Sequence, residues 1–191
     1  GELSFDQVGK FSLARLHANG NKYTLDLEAA PANRTRVSFS VRGSALPLLP
    51  DWVFDDLTAK GELLGNELVI TEIDSRILGG ILLGNARINW RSGWRAQGSL
   101  GAKTITMQNM LKVMSGDMDG TARFQMQASS LASLTDAATL DGSFVIRKGV
   151  INGIDIVETA RLRSTESMPG GRTHFDELSG ELSYAKDTYA F

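Results

Sequence analysis

Few side chains in this sequence are of the types that do chemistry, and their spacing gives them little to do. The 191 residues include two histidines and no cysteine. That excludes a disulfide scaffold, a cysteine-ligated zinc site and a cysteine nucleophile. His17 and His174 could in principle meet Asp176 around a metal, but each lies in alternating sequence that reads as a solvent-facing strand. Asp117-Met118-Asp119-Gly120 has the opening spacing of a calcium loop and lacks the later ligands, including the glutamate near position twelve. A turn with Asx hydrogen bonding is the expectation there. Ser183-Tyr184-Ala185-Lys186 matches Ser-x-x-Lys. That chemistry needs a helix to bring the lysine back over the serine, and on a strand an odd spacing turns the two to opposite faces. Asp55-Asp56, Asp155 and Asp176-Glu177 are carboxylates that could pair across a cleft for acid–base work. Nothing in the sequence brings two of them together, and Asp155 could instead open a helix. Phosphate-cradling loops, dinucleotide fingerprints and nucleophile elbows are all missing. The expectation is a non-enzyme with no catalytic residue, no cofactor and no metal.

Composition narrows the partners. Lys and Arg number 20 against 22 Asp and Glu, in scattered order, for a net charge of −2. Nucleic acid needs a concentrated basic face, so it is not the expected partner. With 42% hydrophobic residues the chain is too apolar for disorder. Glycine is abundant at 20 residues while proline numbers only 4. The longest nearly unbroken apolar stretch, Ile77 to Gly84, is far shorter than the ~20 residues that span a bilayer. The chain opens on patterned sequence with no signal peptide, and Thr188 to Phe191 begins a fresh alternating run after a turn at Lys186-Asp187. It therefore reads as a piece of something longer, with any targeting or anchoring segment outside it.

The elements that must position these side chains are strands. Tyr23, Leu25 and Leu27 alternate with polar residues, as do Val37, Phe39 and Val41. The same holds for Ala86, Ile88 and Trp90, for Ala122 to Ala128, and for Leu178 to Tyr184. One-sided alternation of this kind favours an antiparallel sheet with one solvated face. Asn19-Gly20 predicts a two-residue hairpin loop that sets Leu16 opposite Tyr23 and Ala14 opposite Leu25. After Trp90, a three-residue loop at Arg91-Ser92-Gly93 keeps the faces unmixed. It sets Trp90 opposite Trp94, Ile88 opposite Ala96 and Ala86 opposite Gly98, with Gly93 left-handed. Arg147-Lys148-Gly149 gives a similar turn signal. Two or three short helices are expected, at Gln108 to Met114, Ser130 to Ala138 and Ile154 to Leu162. The break at Ala45 to Trp52 suggests two sub-lobes, 1–46 and 53–191, of one elongated β domain. Many glycines with few prolines suit a long, strongly curved antiparallel sheet that forms a groove.

The apolar faces carry two readings. One is an ordinary sheet core. The other is the wall of a hydrophobic groove for acyl chains, lined by Ala86, Ile88, Trp90, Trp94, Ala96, Phe124, Met126, Phe144 and Ile146. A half-buried sheet needs a second layer. Three short helices cannot cover eight to twelve strands, so the apolar face must fold on itself or stay open.

Asp141-Gly142-Ser143-Phe144-Val145-Ile146-Arg147-Lys148-Gly149-Val150-Ile151-Asn152-Gly153-Ile154-Asp155-Ile156 resembles the C-terminal hallmark of AsmA-like proteins. That hallmark is a strand, a glycine turn, a short strand, then Gly-x-Asp opening a helix. Thr173-His174-Phe175-Asp176-Glu177-Leu178 is similar to the family's Thr-x-Phe-x-x-Leu strand, and Ala59-x-Gly61-x-Leu63 and Leu78-Gly79-Gly80 resemble strands upstream. The likeness covers residues 55–191. It implies a bacterial periplasmic module, anchored in the inner membrane through segments outside this chain and supporting outer-membrane homeostasis. The implied fold is a curled sheet, and the implied activity is passage of phospholipid between membranes. The implied partners are phospholipid acyl chains and other envelope proteins. A different class of function is a structural adaptor that binds envelope proteins by strand addition.

Overall fold

Period-two alternation dominates the sequence, and the chain folds as strands almost throughout. A computed structural model describes residues 2–5, 11–154, 169–185 and 188–190. In chain order the strands are β1 (Glu2–Phe5), β2 (Phe11–Asn19), β3 (Tyr23–Ala30), β4 (Arg34–Leu46), β5 (Leu49–Leu64) and β6 (Glu67–Ile77). They continue as β7 (Gly80–Asn89), β8 (Trp94–Thr106), β9 (Met114–Ala128), β10 (Ala138–Ile154), β11 (Pro169–Ala185) and β12 (Thr188–Ala190). All twelve form one sheet whose spatial order is the chain order. Every pairing is antiparallel, and β1 and β12 are the two edges, so the sheet is open. Each strand thus pairs with its neighbours in sequence, the simplest topology a chain of alternating segments can adopt.

Several expectations are met. Ile88 pairs with Ala96 and Ala86 with Gly98, so the turn between them is the longer one, with Gly93 at φ +89°. Others are corrected. No helix forms at Gln108 to Met114 or Ser130 to Ala138; each holds one 3-10 turn, Met107–Asn109 and Thr135–Ala137. A single turn suffices to link neighbouring strands, and the next ladder claims the remaining residues. The stretch 154–162 falls mostly outside the described residues. At Asn19-Gly20 the loop is wider than expected: Asn19 pairs with Thr24, Ala18 with Leu25 and Leu16 with Leu27. The predicted and observed registers differ by four residues along β3, Leu16 meeting Leu27 rather than Tyr23. Both keep apolar side chains together, so the pattern alone cannot separate them. Arg147-Lys148-Gly149 is a bulge within β10, with Lys148 at φ +52°, because β9 and β11 continue past it on both sides. Asp117 to Gly120 is strand rather than turn. The Pro47-Leu48 break is a tight turn, with Leu46 paired to Leu49 across it.

The buried core sits toward one end of the strands. Val41, Phe54, Leu57, Ile77 and Ile105 form it, with Phe39, Leu82, Ala102 and Met118 packed against it. These come from β4, β5, β6, β7, β8 and β9, so six neighbouring strands contribute to one packed cluster on this face. The polar face is laced by cross-strand ion pairs: Arg34 to Glu62, Arg36 to Glu28, Lys60 to Glu72 and Arg87 to Glu67. They are exposed and individually worth little. Their alternating signs still disfavour register slips that would set like charges opposite.

Candidate functional site

In an antiparallel sheet, directly paired residues share a face, so the registers assemble rows that cross the strands. One row runs Leu16, Leu27, Val37, Gly61 and Ile70 over β2 to β6. It continues as Ala86, Gly98, Phe124, Leu140 and Tyr184 over β7 to β11. The next row runs Ala18, Leu25, Phe39, Ala59 and Ile73, then Gly84, Leu100, Ala122, Gly142 and Leu182. At ~4.8 Å per strand, a row over ten strands is about 43 Å long. Neither row contains a charged side chain. A third row, from Tyr23 through Val41, Leu57, Ser75, Leu82, Ala102, Gly120 and Phe144 to Gly180, holds one serine. Ser75 is fully buried and its hydroxyl has no hydrogen-bond partner.

Glycines in these rows make room for rings. A Cβ on Gly98 would lie 2.8 Å from the Phe124 ring, and one on Gly180 would lie 2.9 Å from the Phe144 ring. Leu100 covers Gly84 in the same way, at 2.8 Å. Each large side chain therefore lies across a neighbouring strand where a glycine leaves space, and the apolar face of β7 to β11 is paved rather than ridged. At one end Trp90 and Trp94 stack with ring centroids 5.5 Å apart. Tyr23 stacks on Phe39 at 6.3 Å toward the other side of the sheet.

The residues singled out from sequence fall on this face. Ile88, Ala96 and Met126 form one ladder step, and Ala86 and Phe124 flank Gly98 in the adjacent one. Phe144 lies in the third row. Ile146, paired with Met118 and Leu178, is only 2% exposed and belongs to the packed interior. Ala86 and Ala96 are also buried, while Ile88, Trp90, Trp94, Phe124, Met126 and Phe144 are half-buried. Phe39, Ile73, Leu100, Leu140 and Leu182 share the rows and were not singled out. Gly98 and Gly101 beside Leu100 dilute its local alternation, whereas Phe39 and Leu182 alternate cleanly and only pairing across strands places them in the same rows.

The catalytic alternatives are kept apart. His17 Nδ1 meets Asp26 Oδ1 at 2.5 Å on β2 and β3, while His174 lies on β11 opposite Val150. Among the described residues no three His, Asp or Glu side chains converge on a metal position. Asp56 is engaged by Arg76, and Glu177 by Arg147. Ser183 donates to Asp141 at 2.7 Å. Asp119 accepts the Thr104 N–H at 2.9 Å and Arg147 Nη1 at 2.7 Å, and these bonds hold its carboxyl below the usual aspartate range. Thr104 is left-handed at φ +55° in a β8 bulge, so Asp119 pins an irregularity of the sheet. The polar face carries a shallow concavity of about 950 Å³ over β7 to β11, lined by Ser99, Arg123, Asp141, Ser143 and Glu181 among others. It offers scattered hydroxyls and single charges, without a converging set.

No family model, no curated protein and no solved structure matches the chain. What distinguishes the molecule is therefore its own geometry: uncharged rows that run across the whole sheet on one face and salt-bridged polar residues on the other. No helix among the described residues is long and apolar enough to cross a membrane.

Proposed function

We propose that the apolar face is the working surface, a hydrophobic groove that holds phospholipid acyl chains. In this reading the chain is a non-enzymatic module of an AsmA-like envelope protein, placed in the periplasm and conducting phospholipid between the inner and outer membranes. One observation carries it: two charge-free rows cross ten strands, over a face that no helical layer covers among the described residues. An acyl chain leaving a bilayer loses about 0.8 kcal/mol for each CH2 exposed to water. Rows of Leu, Ile, Phe, Ala and bare glycine along the stacking direction supply a substitute environment step after step. They do so without a deep site that would trap the chain. The paved rings favour sliding contact, since nothing protrudes to interlock with the ligand. Curvature toward this face is supported by the core at one strand end, where residues of β4 to β9 pack together. The headgroup would stay in water along the open side.

Extraction and mass spectrometry of the purified chain test the reading. Co-purified phospholipid is expected, with re-loading after delipidation. Phe124→Glu should reduce bound phospholipid and photo-crosslinking to acyl chains while the circular-dichroism spectrum is retained. A chain that stays free of phospholipid after delipidation and re-exposure would sink the proposal.

A further inference from the structure

We propose that the apolar fringe at one end of the strands rests on a lipid bilayer surface. The fringe has two parts, placed by register. Ile77, the last residue of β6, pairs with Phe54, so the β4–β5 hairpin overhangs the β6–β7 turn. Within that overhang Ala45 pairs with Val53 and Leu46 with Leu49, which leaves Pro50 to Trp52 as a bulge. The second part is the turn from β8 into β9, at the same end. The Thr106 N–H donates to the Leu78 carbonyl at 3.1 Å, and Met107 is only 3% exposed. From that anchor the Met110 and Leu111 N–H groups both donate to the Met107 carbonyl, and the Asn152 N–H donates to the Val113 carbonyl. The turn is tied at both ends, and it holds its apolar side chains outward.

The exposure is large for such residues. Met110 is 46% exposed, Leu111 45%, Val113 59%, Trp52 41% and Val53 59%. At the opposite strand end only Leu64 and Leu131 are comparable among the described residues. Two features select a bilayer as the occupant. First, the five side chains present roughly 500 Å² together, short of the ~800 Å² per partner that a standard protein interface buries. A bilayer needs no matching shape, so a small apolar tip suffices. Second, Lys112 stands exposed between Leu111 and Val113, and no acidic residue occurs from Met107 to Gly116. Its stem can lie along the apolar side chains while its ammonium reaches a headgroup phosphate. Trp52 is the side-chain type that favours the membrane–water boundary. This contact uses the strand ends and is independent of the groove, which uses the sheet face.

Vesicle flotation of the 191-residue chain is the test. The probes are phosphatidylcholine vesicles with and without a quarter phosphatidylglycerol. Flotation is expected with the anionic vesicles and more weakly with the neutral ones. The double variant Leu111→Asp, Val113→Asp should lower binding about tenfold or more, while Leu131→Asp, at the other end, should leave it unchanged. With Trp90 and Trp94 replaced by Phe, spin-labelled lipid should quench the fluorescence of Trp52. That readout stands even if the double variant does not fold. Absence of flotation with both vesicle types, or an unquenched Trp52, overturns the proposal. So does self-association that the double variant abolishes without vesicles. A chain that floats yet carries no extractable phospholipid would defeat the groove and leave the fringe standing; the reverse result would defeat the fringe alone.

Discussion

Two regions of this sheet share one sequence pattern and end in different environments. Around Val41, Phe54, Leu57, Ile77 and Ile105 the apolar face is sealed, with exposures of 6% or less. Across β7 to β11, Ile88, Leu100, Phe124, Leu140 and Leu182 stay half-buried on the same face. Residue type does not separate them. The sealed region has bulges on several neighbouring strands, with register shifts after Phe54, Ala102 and Arg147. The paved region sets glycine beside the Phe124 and Phe144 rings, and its large apolar side chains stay half-buried. One pattern therefore yields either a sealed core or a half-buried face, according to where on the sheet it falls.

The sharpest test of this difference is truncation. Ile77→Ala should cost about 3 kcal/mol in urea denaturation, as a fully buried site that leaves a cavity. Leu140→Ala, in the paved rows, should cost about 1 kcal/mol. Equal losses would mean that the paved face is an ordinary core. Glycines give the next largest effect. A Cβ at Gly98 would collide with the Asn85 carbonyl and the Phe124 ring, so Gly98→Ala should destabilise by about 2 kcal/mol. Gly101 has open space around the same position, and Gly101→Ala should be neutral or stabilise by about 0.5 kcal/mol. If both changes cost alike, rings do not pave the sheet.

Ser75 lies in the sealed region with an unpaired, fully buried hydroxyl. Ser75→Ala should raise stability by about 1 kcal/mol, since it removes the desolvation penalty of that group. A loss instead would reveal a bonded hydroxyl. The smallest effect concerns pH. Asp119 has its folded pKa lowered, first by the Thr104 N–H and then by Arg147. Its stabilising contribution is present above the unfolded aspartate value, about pH 4, and is lost as pH falls through the lower folded value. Because its side chain is 46% exposed, the contribution should stay well under about 1 kcal/mol. Asp119→Asn should flatten the acid limb of the stability profile by that small amount and leave neutral pH nearly unchanged.

Much of the architecture was legible in the residues. Alternation at Val37 to Val41, Ala86 to Trp90 and Ala122 to Ala128 marks strands and their inner faces. The faces at Trp90 and Trp94 identify the longer turn. Other features were hidden because local pattern carries no information on them. An even, four-residue register shift after Asn19 keeps every face intact, so hydrophobicity cannot detect it. The apparent turn at Lys148 is a bulge only because strands on both sides continue past it. Ile146 reads the same as Phe124 along the chain, yet it is buried, with Met118 and Leu178 as its partners on the flanking strands.

By itself, then, the sequence determined that this chain forms a one-faced antiparallel sheet. Alternation and turn chemistry act over a few residues, and each segment carries its own. Only the tertiary structure decided that the apolar positions of ten strands align into continuous rows, and where those rows are sealed or left half-exposed. Row continuity is the product of every register in the sheet, and sealing depends on side chains contributed by strands far apart in the chain. Neither is a property of any one segment.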